Sequence, residues 1–136
     1  MSSNLRTAVV EWLGDERFAA GAPDGPRHFL DGTGGSAPSP VVALLNAAGS
    51  CAAVDVVTIL QKKRVALRSL RAELTGTRRE EIPRRYTAIH VVWHLAGEGL
   101  DEAKARHAVE LSMTKYCSVL SSLDPAIPVT FEIRLG

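Results

Sequence analysis

The chain has 136 residues, 46% hydrophobic and 23% charged, a globular balance that excludes a disordered protein and predicts one domain over 1–136. Lys and Arg number 16 against 15 Asp and Glu, and aromatic residues make up 5%. A net charge of +1 with so few rings predicts no nucleic-acid partner.

The start, Met1-Ser2-Ser3-Asn4-Leu5-Arg6, has no basic region followed by an apolar run. No signal peptide is expected, and the expected compartment is the cytoplasm, where thiols stay reduced. Leu5 to Trp12 alternates and reads as a strand, with Arg17 in the turn that follows Gly14-Asp15. Phe18 to Ala20 and Arg27 to Leu30 complete an N-terminal meander. The loop Asp31 to Ser39 lacks the spacings of a phosphate loop, so its expected role is to lead the chain into a helix.

Ser39-Pro40 supplies an N-cap and a first helical residue. From Val41 to about Lys63 no proline intervenes, and as a helix the run is about 34 Å long. It is apolar on nearly every side, but Asn46, Ser50, Asp55 and Thr58 lie within it, which favours a covered core helix over a membrane span. One main sheet in a chain of this size cannot cover it all round, which predicts a homodimer. Leu67 to Thr77 and Tyr86 to Ala96 alternate as two strands, and the charged stretch Arg78 to Arg85 between them reads as a solvated hairpin tip. Asp101-Glu102 opens a second helix, predicted to run unbroken to Leu123, before Asp124-Pro125. Val129, Phe131, Ile133 and Leu135 alternate in a final strand. The order βββ-α-ββ-α-β defines an α+β fold, two helices on a mostly antiparallel sheet.

His90 and His94 share a strand face about 13 Å apart, too far for one ion, so they read as surface histidines and no metal is expected. The remaining chemistry rests on Cys51 and Cys117, too few for a disulfide scaffold or a thiolate zinc site. Cys51 lies in the apolar helix among Ala47, Ala48, Gly49, Ser50, Ala52 and Ala53, which leave room beside its sulfur. Cys117 is placed on the second helix, near its end. The residues alone leave two readings open: two inert core thiols, or a pair brought together where the helices pack.

SPVVALLNAAGSCAAVDVVTIL, followed some 60 residues later by KYCSV, resembles the OsmC/Ohr family of thiol peroxidases, closest to its OsmC-like branch. The resemblance extends from about Trp12 to the final strand. It implies an intertwined homodimer with two central helices and no metal or organic cofactor. It also implies organic hydroperoxides as substrate, with Cys51 attacking the peroxide and Cys117 closing a disulfide that an external dithiol reopens. An Arg held by a Glu activates the thiol in the peroxidase branches. Here Val42 occupies the position of that Glu, so Arg17 or Arg27, with Glu11 or Glu16 in support, are the candidates. The alternative function is a non-catalytic or weakly active homodimer that binds a small apolar ligand or acts as a redox sensor.

Overall fold

The computed structural model describes residues 4–136, so Met1 to Ser3, where the reading of a missing signal peptide begins, lie outside the described residues. The chain divides into two compact units, Met1–Leu44 and Leu45–Gly136. The first holds β1 (Val9–Gly14), β2 (Arg17–Gly21) and β3 (Arg27–Asp31) as an antiparallel sheet in that order. β1 begins at Val9, later than the alternation from Leu5 suggests. The Gly14-Asp15 turn is tight, with φ of 107° and 49°, and it places Arg17 on β2 opposite Asp31 rather than in the turn.

Asp31 organises the loop that follows. Its carboxylate accepts the N–H and O–H of Thr33 at 2.9 and 2.8 Å, and those of Ser36 at 3.0 and 2.7 Å. The bonds from Ser36, then those from Thr33, hold the carboxyl far below the usual range. The loop therefore closes on its own side chain. It ends at Ser39, whose Oγ accepts the Val42 N–H at 3.4 Å and caps α1 (Pro40–Lys62) as expected.

In the second unit, β4 (Ala66–Arg78) pairs antiparallel with β5 (Tyr86–Glu98). The last strand, β6 (Val129–Leu135), pairs parallel with β5, giving the order β4-β5-β6. The six strands thus form two three-stranded sheets, not one main sheet. Ile89, Val91, Trp93 and Leu95 of β5 share one buried face. They join Ala52, Val56 and Leu60 of α1 and Ala105, Ala108 and Val109 of α2 (Glu102–Leu111) in one core cluster. Each large apolar side chain fully buried there contributes about 1.5–3 kcal/mol.

By length and composition α1 is apolar enough to cross a membrane. The four-residue spacing of Ala48, Ala52, Val56 and Leu60 instead marks one stripe built into this core. Other faces stay open: Val54 is 65% exposed, Val42 45% and Leu44 38%.

The second helix is not continuous. α2 starts at the N-cap Asp101, whose carboxylate accepts the Lys104 N–H at 2.8 Å, and stops at Leu111. A single π turn (Ser112–Tyr116) follows, then Cys117 in extended conformation, then α3 (Ser118–Ser121). The break has a direct cause: the Cys117 N–H bonds back five residues to the Ser112 carbonyl at 2.8 Å, which an unbroken α-helix does not allow.

The histidines behave as expected of surface residues. His90 contacts Thr130 at 2.7 Å and Glu132 at 3.1 Å, while His94 contacts Glu73 at 2.6 Å. The hairpin tip is solvated, with Ile82 90% exposed. Arg78, Arg79 and Arg84 brace it by donating to the loop's own carbonyls.

Gly49 sets how closely α1 lies on β4. A Cβ at that position falls 2.6 Å from Leu74 Cδ1. Gly49→Val is therefore expected to destabilise the fold by about 1–3 kcal/mol through overpacking, read as a lower midpoint in urea unfolding.

Candidate redox site

α1 carries Cys51 on the edge of its buried stripe, between Gly49 and Ala52, so the thiol is only half-buried. The break after α2 carries Cys117, which is 3% exposed and lies within the core cluster. Packing of these segments sets Cys117, 66 residues away in sequence, against the turn of α1 that precedes Cys51, near enough for that thiol to raise its pKa. The two cysteine-bearing segments are therefore neighbours in the fold.

Three contacts define Cys117. Its Sγ accepts the Leu120 N–H at 3.4 Å, so the sulfur itself caps α3. Its S–H points to the Ala48 carbonyl at 3.9 Å, one turn before Cys51. Its N–H is fixed on Ser112. Burial pushes the thiol above its ordinary pKa, the Leu120 N–H offsets part of that, and the neighbouring Cys51 raises it further. At neutral pH Cys117 is thus held as a thiol.

Ser112 is the residue that sequence reasoning missed. It is fully buried, and its O–H donates to the Ala52 carbonyl at 2.7 Å. Its position on the apolar face of the second helix, a polar residue among Ala105, Ala108 and Val109, was the available signal. Trp93 supports the same turn by donating its indole N–H to Met113 Sδ at 3.4 Å.

The arginine candidates lie in the N-terminal unit, not in the unit that holds the thiols. Arg27 forms an ion pair with Glu11 across the sheet, each about half exposed. Arg17 lines a cavity of about 230 Å³ together with Leu13, Phe18 and Phe29. Among the described residues it makes no ion pair, and Glu16 makes none either. The first turn of α1, where Val42 stands, holds no acid. Beyond Cys51 on α1, Asp55, Thr58 and Lys62 line an open groove of about 490 Å³, walled opposite by His107 and Tyr116. No group of three His, Cys, Asp or Glu among the described residues is arranged to hold a metal.

A buried thiol beside a half-buried one, on a helix that packs into an α+β core, defines a protein of the OsmC type. Residues 32–132 match the family model described as OsmC-like protein, and the chain belongs to that family. Protein YhfA of Escherichia coli K12 is 41% identical over 129 residues, which cover 94% of this chain and 96% of that protein. A hypothetical protein from Aquifex aeolicus superposes with a TM-score of 0.83 at 29% identity, covering 98% of both chains. The organic hydroperoxide resistance protein OhrB of Bacillus subtilis superposes less closely, at a TM-score of 0.65 and 13% identity, covering 98% of this chain and all of that one. At that identity the likeness establishes the fold alone.

The raised pKa of Cys117 has a measurable sign. The folded state favours the protonated thiol, so this contribution to stability is complete below the ordinary thiol pKa of about 8.5. It is lost as pH rises through the raised value. Alkylation of Cys117 by iodoacetamide, followed by peptide mass, is expected to turn on above pH 8.5. In Cys51→Ser the midpoint moves down but stays elevated, because burial is the larger cause.

Proposed function

We propose that the protein, as a single domain over 1–136, reduces organic hydroperoxides with Cys51 as the attacking thiol and Cys117 as the resolving one. The observation that carries the reading is the packing of the Cys117 segment against the turn of α1 that bears Cys51. Membership of the OsmC family and the peroxide-resistance name borne by a structural relative support it.

The division of labour follows from exposure and protonation. Cys51 is half-buried and reachable, whereas Cys117 is buried and held as a thiol. The Cys51 thiolate attacks the terminal peroxide oxygen and the O–O bond breaks. The leaving alkoxide takes a proton and departs as the alcohol, leaving Cys51 as a sulfenic acid. Cys117 then displaces hydroxide from that sulfur, a disulfide forms and water is released. An external dithiol reduces the disulfide by two exchange steps and is itself oxidised to a disulfide. The chemistry uses no metal or organic cofactor.

In this reading Arg17 supplies the positive charge for the thiolate, with Arg27, held by Glu11, as the alternative. A second copy of the chain covers the apolar residues that α1 leaves open, Leu44 and Val54 among them. The homodimer works in the cytoplasm, where dithiol reductants are available.

Reduced protein is mixed with one equivalent of cumene hydroperoxide, with peroxide loss and peptide masses followed in parallel. Rapid loss with a Cys51–Cys117 disulfide is the expected result. In Cys51→Ser the rate falls at least a hundredfold, to the background of free thiols. Equal consumption by both proteins overturns the reading. A slow disulfide with no repeated turnover identifies a redox sensor instead, a role that the absence of an acid from the first turn of α1 favours.

A further inference from the structure

Ser112 is bonded to both cysteine segments at once. Its side-chain O–H donates at 2.7 Å to the carbonyl of Ala52, the residue that follows Cys51. Its own carbonyl accepts the N–H of Cys117 at 2.8 Å. Two residues, Ala52 and Ser112, thus connect the cysteines through two hydrogen bonds, whereas the covalent path between them runs through two strands and a helix. The seryl side chain is fully buried, and its hydroxyl group has no other recorded partner among the described residues.

The π turn gives this arrangement its reach. An α-helix continued through Ser112 places its carbonyl opposite the N–H four residues on, at Tyr116. The π turn shifts the bond one residue further, to Cys117, and leaves that residue extended with its sulfur directed at Leu120 and Ala48. Were position 112 apolar, the Ala52 carbonyl would lose the one side-chain donor it receives among the described residues, and with it the polar link between α1 and the turn.

We infer that Ser112 is a positioning residue for thiol–disulfide exchange: it fixes the distance between Cys51 and Cys117, and so sets the rate and equilibrium of closing their disulfide. The inference deepens the proposed function and rests on it for the biological use of the pair. Its physical content needs only the two thiols. In the closure step the Cys117 thiolate displaces hydroxide from the oxidised Cys51 sulfur. In equilibrium with glutathione, two glutathione thiols give up two electrons and two protons to the disulfide, yielding two protein thiols and glutathione disulfide.

Ser112→Ala removes the hydroxyl at almost unchanged volume, and Ser112→Thr retains it. Each protein is equilibrated against glutathione and glutathione disulfide, with the oxidised fraction read by mass. Closure after one equivalent of hydroperoxide is timed against trapping of the sulfenic acid by dimedone. In Ser112→Ala the equilibrium constant for the disulfide and the closure rate are each expected to fall about tenfold. The rate of the first attack on Cys51 stays within twofold, since that step does not involve Cys117. Ser112→Thr restores both quantities if it folds, and the Ala variant decides alone if it does not. An unchanged equilibrium in Ser112→Ala overturns the inference. So does an equal fall of attack, closure and Trp93 fluorescence, which marks a general loss of packing. If the wild type fails to consume hydroperoxide, the peroxidase reading falls, while the glutathione equilibrium still judges Ser112.

Discussion

Everything in the C-terminal unit depends on burying one stripe of α1. Ala48, Ala52, Val56 and Leu60 recur every fourth residue and enter a core whose other side is the alternating face of β5. Small residues at 48, 49 and 52 let the helix approach closely, and the same smallness leaves the sulfur of Cys51 uncrowded. The stripe thus fixes the helix in depth and in rotation together. A turn of the helix by one residue, about 100°, would displace Cys51 and bring either Asp55 or Gln61 into the apolar core without partners.

The charge distribution around the pair is equally informative. Cys117 sits in surroundings that favour the neutral thiol, with the N–H groups of Leu120 and Val119 offsetting only part of the effect of burial. A disulfide carries no charge, so the oxidised pair suits this apolar setting at least as well as the two thiols do. In the proposed reaction the more buried partner serves in the second step and the reachable one meets the substrate. Such a division follows from accessibility before any catalytic detail is considered.

Much of this was legible in the sequence, for identifiable reasons. The period-two alternation of β4, β5 and β6 and the Ser39-Pro40 cap report local physics that tertiary packing reinforces. Three features were not. The break at Ser112 to Cys117 escapes notice because Ser112, Tyr116 and Val119 keep nearly helical spacing across it, and a π turn alters register by only one residue. Arg17 was placed in a turn because Gly14-Asp15 was allotted more chain than a two-residue connection needs. The division of strands into two sheets, and the parallel pairing of β6, are questions of partner choice, which side-chain alternation along one strand does not encode. For the site, the motif around each cysteine pointed to a pair, but the third member, Ser112, looked like an ordinary small residue on a helix.

Parallel pairing of β6 with β5 has a topological consequence. Two parallel neighbours cannot be joined by a tight turn, so the chain must leave β5 at one end and return to the other. The segment that makes this return carries α2, the π turn and Cys117. The second thiol therefore rides on an obligatory bridge of the sheet, anchored at both ends by neighbouring strands. The position of Cys117 relative to α1 is thus tied to the pairing of β5 with β6, and belongs to the sheet as much as to either helix.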